Sequence, residues 1–131
     1  MPKLLRNRTT ALLALEWCKK KWKKSRYHSD YPKIRILNRT ARDLYGWYDE
    51  EKNLITINMH LNRRVIDIID TVIHEYTHYT QDCKNLYDKL WEENAHRPYR
   101  EHPLEREAYR RQEKYGKICK SEIESWYVIS V

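Results

Sequence analysis

A regular apolar pattern across residues 65–83 predicts one long helix, and it constrains this chain more than any other feature. Its apolar residues recur at steps of three and four, the period of a helix with one buried face. They are Val65, Ile68, Ile69, Val72, Ile73, Tyr76, Tyr79 and Cys83. Asn62 precedes the pattern and is the expected N-cap. At about 100° per residue, His74 and His78 fall away from the centre of the apolar stripe, so we expect a core face and a separate chemical face.

The chemical face carries the segment His74-Glu75-Tyr76-Thr77-His78. Two histidines four residues apart on a helix can bind one metal ion, and H-E-x-x-H is the spacing of catalytic zinc sites. Glu75 lies next to them, where its carboxylate can take a proton from an attacking water. The alternative is a chance arrangement on a solvated helix face. The position of both histidines away from the core stripe favours the metal site.

A catalytic zinc ion usually takes three protein ligands, so the chain should supply one more. The metzincin pattern is excluded, because Gln81 and Lys84 stand where it has a glycine and a third histidine. Three downstream side chains remain as candidates. Glu105 is preferred, followed by Glu107 and then His102.

A second helix is expected to carry these carboxylates, with Pro103 in its first turn and a glycine stop at Gly116. Glu105 and Glu107 would lie about 200° apart on it, so they cannot both face the same ion. Ala108 would share a face with Glu105 and, being small, would let this helix approach the histidine helix closely. The alternative for Glu105 is an ordinary solvated carboxylate.

Together, these residues resemble a family of zinc peptidases. The H-E-x-x-H motif followed by Glu105-Arg106-Glu107-Ala108 looks like the H-E-x-x-H plus E-x-x-A pattern of small gluzincins, including minigluzincins and the anti-repressor-cleaving peptidases of mobile elements. The similarity covers roughly residues 10–116, although its specific part is nine residues. It implies a zinc-dependent metallopeptidase acting on protein or peptide substrates. The chain has no Asn before either Glu and no Asp four residues after, so the motif does not identify the groups that orient the histidines.

The expected fold is α+β. The resemblance implies a single zincin-like domain over residues 1–131, with an N-terminal helix, a three-stranded sheet, the histidine helix and the glutamate helix. Strands are predicted at 34–37, 45–49 and 54–59, and a helix from 9 or 10 to about 24. The resemblance implies that the last strand is a sheet edge that aligns an extended substrate. An ordinary core strand is equally compatible with residues 54–59. The segment 85–102 is the expected flexible loop, and residues 121–131 are expected to form a last strand or packing segment.

The chemistry that follows is metal-assisted hydrolysis of peptide bonds. Zn²⁺ held by His74, His78 and Glu105 would polarise a scissile carbonyl and lower the pKa of its water to about 7. Glu75 would act as the general base. The residue that stabilises the oxyanion stays open among His96, His102, Tyr76 and Tyr109.

The basic N-terminal third suggests a second class of function. Residues 1–45 hold thirteen Lys or Arg against three acids, an excess that could contact nucleic-acid phosphates. Such a charge run is more often simply solvated. Two alternatives are therefore a nucleic-acid-associated protease of the Spartan type and a non-catalytic DNA-binding or interaction module with a structural metal.

The cysteines and the hydropathy bear on the cellular setting. Cys18, Cys83 and Cys119 are odd in number and lack C-x-x-C spacing, which is typical of reduced thiols and predicts a cytoplasmic protein. Neither a membrane-spanning stretch nor the apolar core of a signal peptide is apparent, so no membrane partner is expected.

Overall fold

The computed structural model describes residues 7–38, 42–81 and 85–130. Its elements follow in the order α1 (Asn7–Trp22), β1 (Lys33–Leu37), β2 (Gly46–Asp49), β3 (Leu54–Asn58), α2 (Val65–Gln81), α3 (Asn85–Glu93), a 3-10 turn (Tyr99–Glu101) and α4 (Pro103–Ser130). The predicted α+β class with a three-stranded sheet is confirmed. Among the described helices, none combines the length and hydropathy that a bilayer span requires.

The sheet has the order β1-β3-β2, with β3 parallel to β1 and antiparallel to β2. The expectation that the strand before α2 is an edge is therefore wrong. Ile55 and Ile57 of β3 are fully buried, and so is Thr56 on the opposite face. A strand buried on both faces belongs in the middle of a sheet. The edge strand that contacts α2 is β2.

Helix α2 is the centre of the fold, packed against α1, α4 and the sheet. Its predicted apolar stripe is buried from Ile68 to Tyr79, whereas Val65 is only partly buried and Cys83 lies outside the described residues. Asn62 is not the N-cap of α2. Arg64 directly precedes the helix, and its backbone N–H donates to the Asp67 carboxylate at 3.0 Å. Asn62 instead donates to the carbonyl oxygens of Asn58 and Tyr45 and accepts a hydrogen bond from Thr71, so it holds the strand ends against α2.

Helix α4 runs through Gly116, so the predicted stop there is wrong. A Cβ at position 116 would lie 2.2 Å from Oδ1 of Asp70 on α2, which shows that the glycine serves the close approach of the two helices. Ala108 is fully buried, as expected for a small residue at this crossing. The C-terminal residues are helical up to Ser130, which corrects the predicted last strand, and Trp126 packs against the core.

The segment predicted as a flexible loop contains α3 and the 3-10 turn. Trp91 of α3 stacks on the ring of His102, with 3.9 Å between ring centroids, and so ties this segment to the start of α4. Cys18 and Cys119 are buried free thiols.

Candidate metal centre

The three predicted ligand side chains lie together between α2 and α4. Nitrogen atoms of His74 and His78 and a carboxylate oxygen of Glu105 all lie within 4.8 Å of one another. The exposed fractions of the three residues are 7%, 4% and 0%. Helical spacing brings the two histidines together, and the packing of α4 on α2 adds the glutamate.

The carboxylate of Glu105 faces both imidazoles. Its Oε2 lies 3.1 Å from Nε2 of His74, and its Oε1 contacts Nε2 of His78. Each carboxylate oxygen of Glu105 therefore lies against one imidazole nitrogen in the buried cluster. Two imidazole nitrogens and one carboxylate oxygen are the donor set of catalytic zinc sites of the His₂Glu type, so these residues fit a zinc ion.

Two glutamines fix the orientation of the histidine rings. Nδ1 of His74 lies 2.7 Å from Oε1 of Gln112, and Nδ1 of His78 lies 2.8 Å from Oε1 of Gln81. Because an amide oxygen only accepts, each Nδ1 carries the donated proton and each Nε2 faces Glu105. The amide groups thus take the place of the acidic partners that the motif lacks.

Sequence reasoning missed both glutamines, although spacing offered a signal. Gln81 lies three residues after His78 on α2, and Gln112 lies seven residues after Glu105 on α4. Those separations place each glutamine on the same helix face as the ligand candidate. Glutamine is common on solvated helix faces, so the spacing alone did not distinguish an orienting role.

The Glu105 carboxylate and the His78 imidazole shift each other's pKa values. Burial would raise the pKa of Glu105, but hydrogen bonds from His74 and His78 outweigh it and lower the pKa to about 2. For His78, burial opposes the charged form, but the contact with Glu105 outweighs it and the pKa is raised. The Glu105 carboxylate is thus ionised, and either the imidazole protons or a cation lies against it. A metal ion would replace protons at this position.

The other two candidate ligands have different roles. Glu107 is exposed and accepts a hydrogen bond from Nε2 of Gln81 at 2.7 Å. His102 caps α4, since its Nδ1 accepts the N–H of Leu104 at 3.2 Å. Of the three carboxyl and imidazole candidates, the structure brings only Glu105 into contact with the two histidines.

Glu75 follows His74 on α2 and lines a cleft beside the cluster. Its side chain and that of His74 line a cleft of about 400 Å³, which the start of β2, the 3-10 turn and α4 enclose. Burial raises the pKa of Glu75; the two histidines act in the opposite direction, and Glu105 adds to the rise. A carboxylate with a raised pKa beside a cleft is suited to accept and return a proton.

Tyrosines line the same cleft as Glu75. The ring of Tyr109 packs edge-on against His74 at 4.6 Å between centroids, and the Arg100 guanidinium lies 4.1 Å from the centre of the Tyr109 ring. Tyr99 also lines the cleft. Partial burial of its hydroxyl raises the pKa of that group, and the carboxylates of Glu105 and Glu75 add to the rise.

Of the four residues considered for the oxyanion, only Tyr109 borders the cleft. Tyr76 donates to the Lys23 carbonyl in the core, His102 caps α4 and His96 is exposed. Tyr99 was missed. It lies in a three-residue turn, where no periodic pattern assigns a side chain to a face.

Comparison with known proteins finds no match to this chain among protein-family models, curated proteins or solved structures. The gluzincin resemblance therefore stays a prediction from the motif residues. Any function has to be inferred from the geometry of the cleft and its side chains.

Proposed function

We propose that this protein is a zinc-dependent metallopeptidase with a small zincin fold. The observation that carries the proposal is the buried cluster of His74, His78 and Glu105, with Glu75 lining the cleft beside it. A chance set of polar residues on a solvated face would not be buried and oriented by glutamine partners. The buried free thiols of Cys18 and Cys119 fit a reducing compartment, so we propose a cytoplasmic setting.

The cleft favours a catalytic over a structural metal. Structural zinc sites are closed by four protein ligands, whereas catalytic sites keep one position open. Within the described ranges, no fourth His, Cys, Asp or Glu joins the three clustered side chains. The cleft of about 400 Å³ leads to His74 and Glu75 and leaves room for a substrate.

Each side chain then has a role in peptide hydrolysis. Zinc held by His74, His78 and Glu105 would polarise the scissile carbonyl and acidify the attacking water. Glu75 takes the proton of that water and passes it to the leaving amine. The hydroxyl of Tyr99, which lines the same cleft as Glu75, donates to the oxyanion.

The edge of β2 supplies a backbone surface for an extended peptide. Tyr45 and Gly46 line the cleft together with Thr71 of α2. In the described sheet, β2 pairs only with β3, so its other edge is available for main-chain hydrogen bonds. Gly46 keeps this strand close to the helix, because a Cβ there would lie 2.7 Å from Cγ2 of Thr71.

The decisive experiment compares wild-type protein with Glu75→Gln. Both are loaded with zinc and incubated with a library of peptides from a digested proteome, and new termini are identified by mass spectrometry. We expect cleavage by the wild type that stops on chelation. Glu75→Gln should lose at least 100-fold in rate, the range expected for removal of a general base, while its zinc content stays at the wild-type value.

Elemental mass spectrometry on the same samples provides the control for metal loss. Cleavage that persists undiminished in Glu75→Gln would remove this glutamate from its role. Zinc-loaded wild type that cleaves no peptide in the library would overturn the peptidase proposal.

A further inference from the structure

We propose that a second surface, on the opposite part of α4 from Glu105, binds the phosphate backbone of nucleic acids. We call it the basic face and define it by Lys20, Lys21, Arg111 and Lys114. It is distinct from the metal cluster and does not depend on the peptidase activity. It extends the basic N-terminal run into a site built from two helices.

The four cations converge on aromatic rings at the junction of α1 and α4. The ammonium groups of Lys21 and Lys114 lie 4.9 and 5.2 Å from the centre of the same Tyr115 ring. The Arg111 guanidinium lies 4.9 Å from the Trp22 ring, which meets Tyr115 edge-to-face at 5.4 Å. The two helices therefore hold their positive charges side by side.

A fourth contact extends the row towards the end of α4. The ammonium of Lys20 lies 4.5 Å from the ring of Trp126. Since the rings order the long side chains before any ligand arrives, less rotamer entropy is lost on binding. The basic face is in this respect preorganised, unlike a run of freely moving surface lysines.

Among the described residues, no carboxylate forms an ion pair with these four cations, whereas the nearby Lys19 and Lys120 pair with Glu16 and Glu124 at 3.0 and 2.7 Å. Residues 17–29 contain no acid, and exposed Lys23, Lys24 and Arg26 follow α1. A cation–π contact at an exposed site contributes only about 0.5–1 kcal/mol, which does not cancel the charge. A polyanion would relieve the mutual repulsion.

The chemistry of α1 favours a nucleic acid over an anionic membrane. A helix that binds a lipid surface inserts an apolar face below the headgroups. Most apolar residues of α1 are instead buried in the core, among them Ala14, Leu15 and Cys18, and Leu12 is the exposed exception. The outward positions near the basic face are lysines, which suit phosphates at the surface of a polyanion.

The basic face also lies close to the cleft. Arg111 donates to Oγ1 of Thr80, two residues after His78, at 3.2 Å. Lys114 lies nine residues beyond Glu105 on the continuous α4, which is about 14 Å along the helix axis. The basic face thus shares α4 with the metal cluster and contacts α2 through Arg111.

The test measures binding of fluorescein-labelled 20-nucleotide single-stranded and duplex DNA by anisotropy over a series of salt concentrations. Four phosphate contacts predict a slope of log K against log salt of about −3 for single strands and about −4 for a duplex. Lys20→Gln/Lys21→Gln/Lys114→Gln should weaken binding at least tenfold and reduce the slope by about two to three. The matched control, Lys33→Gln/Lys52→Gln/Lys89→Gln, removes the same charge elsewhere and should bind within about threefold of wild type.

Three outcomes would overturn the proposal. They are equal weakening in the two triple variants, wild type that binds neither DNA at low salt, and binding to phosphatidylserine vesicles that excess DNA does not compete. If the triple variant fails to fold by circular dichroism, Lys114→Gln alone decides, with an expected loss of about one in slope. Because no peptide substrate enters this assay, its result is separate from that of the peptidase test.

Discussion

Replacing Glu105 with Gln should nearly abolish the stabilisation of this protein by zinc, whereas Glu107→Gln should leave it almost intact. The two substitutions remove the same charge from the same helix. Glu105 is fully buried and faces both histidines, while Glu107 is exposed and contacts Gln81. Comparison of the two variants therefore separates the effect of the position of the carboxylate from the effect of its charge.

The magnitude follows from linkage. Zinc at 100 times its dissociation constant stabilises the folded state by about 2.7 kcal/mol. A chain of 131 residues has an unfolding entropy of about 0.28 kcal/mol/K near 60 °C, so the midpoint should rise by about 10 °C. Loss of a residue that only orients a metal ligand already lowers metal affinity about 10–100-fold. Loss of the anionic ligand itself should lower zinc affinity at least about 100-fold. At the same zinc concentration, about 0.4 kcal/mol would then remain, a rise of only about 1–2 °C.

Thermal unfolding followed by circular dichroism measures this increment, with each variant compared with its own metal-free form. That comparison is needed because Glu105→Gln also removes the carboxylate that faces the histidines in the absence of metal. The reasoning is refuted if Glu105→Gln keeps the full zinc increment, or if Glu107→Gln loses it. Zinc stoichiometry by elemental mass spectrometry on the same samples checks the result independently.

Two further predictions concern the crossing of α2 and α4. Gly116→Ala places a Cβ 2.2 Å from Oδ1 of Asp70, so the cost of overpacking, about 1–3 kcal/mol, should exceed the gain of about 1 kcal/mol in helix propensity. We expect urea denaturation to show a net loss of about 1 kcal/mol that disappears in an Asp70→Ala background; a stabilised Gly116→Ala protein would contradict this. The second prediction concerns the pH dependence of stability. Burial and the charge of Asp67 raise the pKa of Asp70 to about 6, so the folded protein favours the neutral form of this carboxyl. The free energy of unfolding of the wild type should therefore fall as the pH rises from about 4 to 6. Asp70→Asn should remove the share of this dependence that comes from Asp70 and be more stable by about 1 kcal/mol at pH 7, a value discounted because the group is half-buried, and the two proteins should be equal near pH 4. Equal stabilities at both pH values would refute the assignment.

Local patterns predicted the features that depend on one element. The stripe of α2 could be predicted because its period continues over about five turns, and helical geometry alone places His78 on the same side as His74. Glu105 and Ala108 were assigned to one face of the next helix for the same reason. Each of these inferences needs only the geometry of a single helix.

Features that depend on pairing or packing were not predicted. The central position of β3 requires β1 as a parallel neighbour, and nothing within residues 54–59 encodes the partner of a strand. Gly116 has the local signature of a helix stop, but its lack of a side chain is used at the contact with Asp70. Gln112 becomes an orienting group only when α4 lies against His74.

The sequence by itself determined the histidine helix, its chemical face and the glutamate helix that could complete a metal site, because periodicity is a property of consecutive residues. Only the tertiary structure decided that Glu105, and neither Glu107 nor His102, contacts the histidines and that two glutamines orient them. It also decided that cations from α1 and α4 contact the same aromatic ring. These outcomes depend on how helices approach one another. That approach follows from burial of the whole core, with fully buried residues such as Ile69, Ile73 and Tyr76 setting the distances between elements.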